Sequence, residues 1–159
     1  MISITTLTVN PTIDVNTQVE QVMPDKKLRC ERPRREPGGG GLNVSRAIHR
    51  LGGSSKALFM SGGPTGEMLD QLIKGEGIDH QSVPVEGWTR ENLIVFEESS
   101  EQQFRFGMPG PEIAEDEWER CLEEVAGADS VPDYVVASGS LAPGVPDDFY
   151  GRLATATQE

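Results

Sequence analysis

Residues 38 to 41 are four consecutive glycines, introduced by Pro37 and followed by Leu42 and Asn43. Ordering glycine costs more backbone entropy than ordering any other residue, so an ordered run implies a backbone that must approach something closely or adopt positive φ. A bound ligand is the usual cause. The run feeds a helix, and a helix N-terminus offers unpaired N–H groups and a dipole that favour an anion or polar oxygens. Asn43 adds a side-chain donor and acceptor beside them. The competing reading is a flexible glycine linker, which the helix beginning right after Gly41 disfavours. The run is not a dinucleotide fingerprint, because neither Asn43 nor Val44 supplies the last glycine of G-x-G-x-x-G, and no G-x-x-x-x-G-K-[ST] occurs in the chain.

The elements around this loop follow from periodicity. Ser3 to Val9 alternates β-formers and stops at Asn10-Pro11, a first strand. Asn16 to Glu36 is polar and β-leaning, with Val19, Val22 and Leu28 too sparse for a core helix, which predicts an exposed hairpin or flap. Val44, Ala47, Ile48 and Leu51 predict the buried stripe of a helix whose other face carries Ser45, Arg46, His49 and Arg50, and which ends at Gly52-Gly53. Lys56 to Ser61 reads as a buried strand. After Gly62-Gly63-Pro64 a helix with Leu69, Leu72 and Ile73 inward is expected, broken by Gly75 and Gly77.

Leu93 to Phe96 and Gln103 to Phe106 predict a second hairpin that completes the flap. Trp118, Cys121, Leu122 and Val125 make the next helix stripe, with Glu115, Asp116 and Glu117 in its first turn, where carboxylates suit the helix dipole. Tyr134 to Ala137 is an unbroken apolar run, as expected of a parallel strand covered on both faces. Pro146 then starts a last helix with Phe149, Leu153 and Ala156 on one side. Strands alternating with helices imply an α/β fold with a mostly parallel sheet. His49 on a helix's polar face and His80 in a loop have no acid or nucleophile at a recognisable spacing and read as structural. Trp118 and Phe149 read as core, and Gly127-Ala128-Asp129 as a surface turn.

Composition narrows the function classes. A chain of 159 residues is long enough for one domain with a real core. Its formal charge of -12 opposes nucleic-acid phosphate, and no basic stripe offsets it. Mean hydropathy is -0.40, and no run approaches the ~18 apolar residues of a membrane span. The first residues alternate like a strand and lack the charged head and apolar block of a secretion signal, so a cytoplasmic protein is expected. Cys30 and Cys121 belong to no C-x-x-C pair, which argues against a zinc site or a disulfide framework.

A family resemblance lies in the order of the motifs. Thr8-Val9-Asn10-Pro11-Thr12-Ile13-Asp14, Lys27-Leu28-Arg29, Pro37 through Ile48, Leu51-Gly52-Gly53, Trp88-Thr89-Arg90-Glu91-Asn92 and Ser138-Gly139-Ser140-Leu141 together resemble the successive N-terminal motifs of the PfkB (ribokinase-like) carbohydrate kinases. The resemblance spans nearly the whole chain. It implies a three-layer α/β/α fold with a small β lid, the lid segments falling at about residues 16–36 and 91–107, and it makes residues 1–159 the N-terminal half of a kinase domain. The 1-phosphofructokinase and tagatose-6-phosphate kinase branches typically carry a lysine inside the glycine loop. Gly40 stands there in this chain, which points to the 6-phosphofructokinase branch; the other two branches, and a non-catalytic sugar-phosphate-binding module, remain the alternatives.

The resemblance also assigns roles. Asp14 would accept hydrogen bonds from sugar hydroxyls, as an ionised carboxylate can; the alternative is an Asx turn after Asn10-Pro11. Gly39, Gly40 and Gly41 would bring backbone amides to the sugar, with Asn43 fixing a hydroxyl. Arg90 would clamp the 6-phosphate through its planar fork, against the alternative of a solvated surface charge. Contacts at the end of the last strand would fall to Gly139 or to the hydroxyls of Ser138 and Ser140, unless Ser138-Gly139-Ser140 is a plain turn. Lys27 would reach the nucleotide site of a partner subunit in a lid-mediated homodimer, or else is a solvated lysine beside Lys26. The implied reaction is in-line transfer of a phosphoryl group from MgATP to the sugar 1-hydroxyl. Its general base is the aspartate of a Gly-Ala-Gly-Asp motif, which these residues do not contain. The chain alone is therefore expected to bind sugar phosphate weakly and to turn nothing over.

Overall fold

The computed structural model describes residues 2–127 and 132–157. Its elements run β1 (Ile4–Thr8), β2 (Thr12–Val19), β3 (Arg34–Gly38), α1 (Gly40–Arg50), β4 (Lys56–Ser61), α2 (Gly63–Gly75), β5 (Asp79–Pro84), β6 (Arg90–Glu97), β7 (Gln102–Phe106), α3 (Glu115–Ala126), β8 (Tyr134–Ala137) and α4 (Phe149–Ala156). Strand alternation decides the layering. Leu58 and Met60 of β4 point with Leu7 into a core closed by Trp118, Cys121 and Val125 of α3 and by Phe149 and Leu153 of α4. Ala57 and Phe59 point the other way, against Leu42 of α1 and Leu69 and Ile73 of α2. The result is a three-layer α/β/α arrangement around a wholly parallel sheet ordered β5-β4-β1-β8.

The two polar β-leaning stretches form one second sheet, ordered β3-β2-β6-β7. β2 pairs β3 antiparallel and β6 parallel, and β6 pairs β7 antiparallel. It begins earlier than the sequence suggests, since β2 starts at Thr12 and β6 at Arg90, each within a few residues of the chain's departure from the main sheet. This sheet is therefore an extension of the connections between β1 and α1 and between β5 and α3.

Several expectations are corrected. The buried face of α1 is Gly41, Leu42 and Ser45, whereas Ala47 is exposed and Leu51 is 88% exposed. The helix sits so close to β1 that only small residues fit between them, and Ser45 shares a 2.8 Å hydrogen bond with Thr6 inside that contact. Proximity thus overrides the apolar count. β5 has little apolar periodicity to reveal it, and His80 lies in this strand, not in a loop, packed on Phe59 with Nε2 3.1 Å from Asp70.

β8 is only half-buried over Val135 to Ala137. Among the described residues it pairs with β1 alone, at the end of the sheet, and Tyr134 is 60% exposed. α4 starts at Phe149, Pro146 instead heading a turn in which the Phe149 N–H donates to its carbonyl. Glu117, expected to serve the dipole of α3, is buried and accepts the Ala114 and Glu86 N–H groups at 2.8 and 2.6 Å, tying α3 to the exit of β5. The turn proposed at Gly127-Ala128-Asp129 reaches into residues 128–131, outside the described residues.

Both cysteines are free thiols. Burial pushes the Cys121 thiol up to about 12, with the Glu124 charge adding to it. Among the described residues no helix is long and apolar enough to cross a membrane.

Candidate functional site

In open parallel sheets ligands bind beyond the carboxyl ends of the strands. Here those ends deliver Asn10 to Asp14 from β1, Gly62 and Gly63 from β4, Thr89 and Arg90 beyond β5, and Ser138 to Ser140 from β8. A cleft of 640 Å³ opens at the opposite end among Ser3, Lys56, Asp79 and Glu123. It shares no residue with the candidate site, and no unpartnered buried polar group among the described residues points to it.

The glycine run is ordered, and most of its demand for glycine comes from the protein itself. Gly39 has φ +122°, which L side chains rarely adopt. A Cβ on Gly40 would sit 2.5 Å from the Ser138 carbonyl carbon, and one on Gly41 would overlap the Leu7 carbonyl and lie 2.7 Å from Thr8 Oγ1. One on Gly38 would lie 2.5 Å from Asp14 Oδ2. The close approach and positive φ expected of the run are both present, and here the close approach is to the protein itself: the run lets α1 descend onto β1 and β8. Two first-turn donors are already taken, the Gly41 N–H by Ser138 O at 3.1 Å and the Leu42 N–H by the buried Thr8 Oγ1 at 2.8 Å.

Asp14 stands mid-sheet on β2, opposite Glu36 of β3 and Asn92 of β6. Asn92 Nδ2 donates to Asp14 Oδ1 at 3.3 Å, and Asn92 Oδ1 accepts the Met108 N–H at 3.0 Å. A 130 Å³ cleft opens beside this pair, lined also by Arg105 and Gly107. Asp14 is therefore a held carboxylate on a strand, not an Asx turn.

Arg90, at the start of β6, is half-buried rather than a solvated charge. Its Nε donates to Pro11 O at 3.4 Å, Nη1 to Met108 O at 3.0 Å and Nη2 to Asn10 O at 3.0 Å. Of its five N–H donors, one on each terminal nitrogen remains for a ligand. Burial pulls its pKa below the ordinary guanidinium value, and the Asp14 charge acts in the opposite sense. The fork thus staples the second sheet to the end of β1 and keeps a cation there.

Ser138 and Gly139 form more than a plain strand exit. Gly139 has φ +115°, its carbonyl accepts the Tyr150 hydroxyl at 2.9 Å, and Ser140 Oγ accepts Asn10 Nδ2 at 3.2 Å. Gly38 thus lies against Asp14 and Gly40 against Ser138 and Gly139, while Arg90 holds the Asn10 and Pro11 carbonyls beside them and Asn43 stands one turn into α1. Lys27 is exposed in the segment between β2 and β3 and forms no ion pair among the described residues. That segment is pinned by Glu97, whose carboxylate accepts from Ser100 Oγ and from the Val22 N–H, and these two bonds hold its pKa below the usual glutamate value.

Sequence reasoning gave no role to Thr8, Asn10, Thr89, Asn92 or Arg46. Thr89, 4% exposed, clasps the N-terminus of α2 by accepting the Gly62 N–H and donating its own to Gly62 O. Each of these polar side chains finds its main partner far along the chain, 78 residues away for Asn92, so local spacing carries no signal of it.

Comparison with known proteins gives a consistent result. The sequence model of the pfkB family carbohydrate kinases matches residues 6–159. The chain is 48% identical over 151 residues to the ATP-dependent 6-phosphofructokinase isozyme 2 of Mycobacterium tuberculosis, covering 95% of this chain and 44% of that protein. To the protein of the same name from Escherichia coli it is 45% identical, covering 100% of this chain and 51% of that one. The D-tagatose-1-phosphate kinase of Bacillus licheniformis is 31% identical, with 97% and 49% covered. Among solved structures, phosphofructokinase-2 from Escherichia coli in complex with fructose-6-phosphate superposes with a TM-score of 0.93 at 45% identity, over 99% of this chain and 52% of that one. The chain spans about half the length of the curated relatives it matches.

Proposed function

The chain belongs to the pfkB family of carbohydrate kinases, and from that premise we propose that it forms the sugar-phosphate-binding part of an ATP-dependent 6-phosphofructokinase whose acceptor is fructose 6-phosphate. One observation carries this reading: Asp14, the Gly38 to Gly41 turn, Arg90 and the Ser138-Gly139 turn converge beyond the carboxyl ends of β1 and β8. Asp14 accepts sugar hydroxyls, Asn43 binds another sugar oxygen, and Arg90 turns its two remaining N–H groups to the 6-phosphate. Catalysis in such a reaction is largely positioning and charge stabilisation, and this portion contributes the positioning. Among the described residues no group of three or more His, Cys, Asp or Glu side chains could hold a metal ion. The compartment that suits such a kinase, and its free thiols, is the cytoplasm.

A coupled ADP-release assay on the full-length gene product, with fructose 6-phosphate, tagatose 6-phosphate and fructose 1-phosphate offered separately, tests the proposal. The expected result is the highest kcat/KM with fructose 6-phosphate; preference for another sugar overturns the acceptor assignment. A polypeptide of residues 1–159 alone, which carries no Gly-Ala-Gly-Asp motif, is expected to release no ADP. Turnover by it would place the chemistry in residues assigned here to binding.

The second sheet is the proposed lid. Val15, Leu93 and Phe106 lie side by side across β2, β6 and β7 on one face, with Leu93 36% and Phe106 46% exposed. A second copy presenting the same face covers them in a two-fold dimer and brings Lys27 to the neighbour's nucleotide. Light scattering on the full-length gene product is expected to give a dimer; an active monomer at micromolar concentration overturns this arrangement.

A further inference from the structure

Arg46 is the most heavily engaged side chain near the site, and the reading above gives it no part. It projects from α1, its side chain is 11% exposed, and it has four partners, two on β3, one on its own helix and one at the end of α2. Its Nε donates to both carboxylate oxygens of Glu76, at the C-terminal end of α2, at 2.8 and 3.0 Å. Its Nη1 donates to the Pro37 carbonyl at 2.9 Å and faces Asn43 Oδ1 at 3.4 Å, while Nη2 reaches Glu36 Oε1 on β3 at 3.4 Å. Glu36 in turn accepts from Arg34 and Asn16.

Two consequences follow from donor chemistry. A guanidinium has only donors, so the atom of the Asn43 amide that faces it must be the oxygen. What Asn43 then has to offer a sugar is the pair of N–H groups on Nδ2. The Pro37 carbonyl is the last backbone acceptor before the glycine run, and its bond to Arg46 fixes where the strand from the second sheet hands over to α1. Glu76 supplies the rigid end of this strut, because its backbone is the C-cap of α2.

We propose that Arg46 is a positioning residue for the sugar site: it sets Asn43 as a hydrogen-bond donor and holds the Pro37 end of β3 at a fixed distance from α2. This rests on the sugar-phosphate reading given above. Lysine at this position keeps the charge but cannot span the four partners at once.

The test is a double-mutant cycle in the full-length gene product with Arg46→Lys, Asn43→Ala and the pair, reading KM for fructose 6-phosphate, KM for ATP and kcat. Arg46→Lys is expected to raise the sugar-phosphate KM by roughly tenfold, the order expected for losing a charge-assisted contact, with the ATP KM unchanged. The double variant is expected to fall clearly short of the product of the two effects, because Arg46 acts in part through Asn43. Equal rises in both KM values, or fully multiplicative effects, would show a general structural role and overturn the proposal. If Asn43→Ala leaves the sugar-phosphate KM unchanged, the sugar-site reading itself fails, and this proposal with it. Should Arg46→Lys not fold, Glu76→Gln is measured in its place, since it loosens the strut from an element outside the site. A rise in the sugar-phosphate KM alone supports the proposal, and no change overturns it.

Discussion

Arg90→Ala in the full-length gene product is expected to raise the KM for fructose 6-phosphate by one to two decades, since a hydrogen-bonded charge contact of this kind is worth about 1.5 to 3 kcal/mol. The same substitution strips donors from the carbonyls of Asn10, Pro11 and Met108, so the melting temperature is expected to fall as well. The two effects are separable. Arg90→Lys keeps a cation and cannot serve three carbonyls in a fork, so it is expected to lose stability much as alanine does while recovering part of the affinity. Steady-state kinetics with ATP as the second substrate provides the control, because the ATP KM is expected to stay put. A fructose 6-phosphate KM equal to the parent's in Arg90→Ala removes Arg90 from the binding site and leaves it the stapling role alone.

Gly41→Ala is expected to be among the most destabilising single-methyl additions in the chain, at about 3 kcal/mol, the upper part of the range for overpacking a tight contact. The added carbon would meet the Leu7 carbonyl and Thr8 Oγ1, which are backbone and a fully buried hydroxyl, so neither can give way cheaply. Gly75→Ala is the matched control: nothing lies within 4 Å of its Cβ position and its φ is ordinary, so alanine there is expected to be neutral or stabilising by about 0.5 kcal/mol. Chemical denaturation of both variants reads the difference directly. Equal midpoints for the two would mean that α1 does not rest on β1 as closely as the structure has it.

These two residues also show how much the sequence could disclose. The glycine run stands out from residue type alone, whereas Asp14, Arg90 and the Ser138-Gly139 turn are singled out only by the resemblance carried in the order of the motifs. What each one leans on does not stand out. Arg90 looks like a free cation in sequence, and only the fold brings three carbonyls to it. Four glycines look like a ligand loop, whereas two of them are required by Leu7 and Ser138, more than 30 and nearly 100 residues away. The stripe of α1 departs from apolar counting for the same reason: counting assumes a normal helix-to-sheet distance, and here Gly41 and Ser45 make it shorter. β5 carries no such signal because Asp79 to Pro84 buries only Val83 well, most of its other positions being polar.

The central strand has a history as well as a place. β1 is paired on one side by β4 and on the other by β8, and 130 residues separate Ser3 from its partner Asp133. At a synthesis rate of about 5 to 20 residues per second, β1 leaves the ribosome on the order of ten seconds before the strand that completes it. During that interval one full edge of the future sheet centre is open in the nascent chain. Three of its five residues are threonines, and on the face towards α1 the hydroxyls of Thr6 and Thr8 are taken by Ser45 and by the Leu42 amide. The helix that follows the glycine run is synthesised long before β8, so the face of β1 that it covers has its partner available early, while the edge waits for β8.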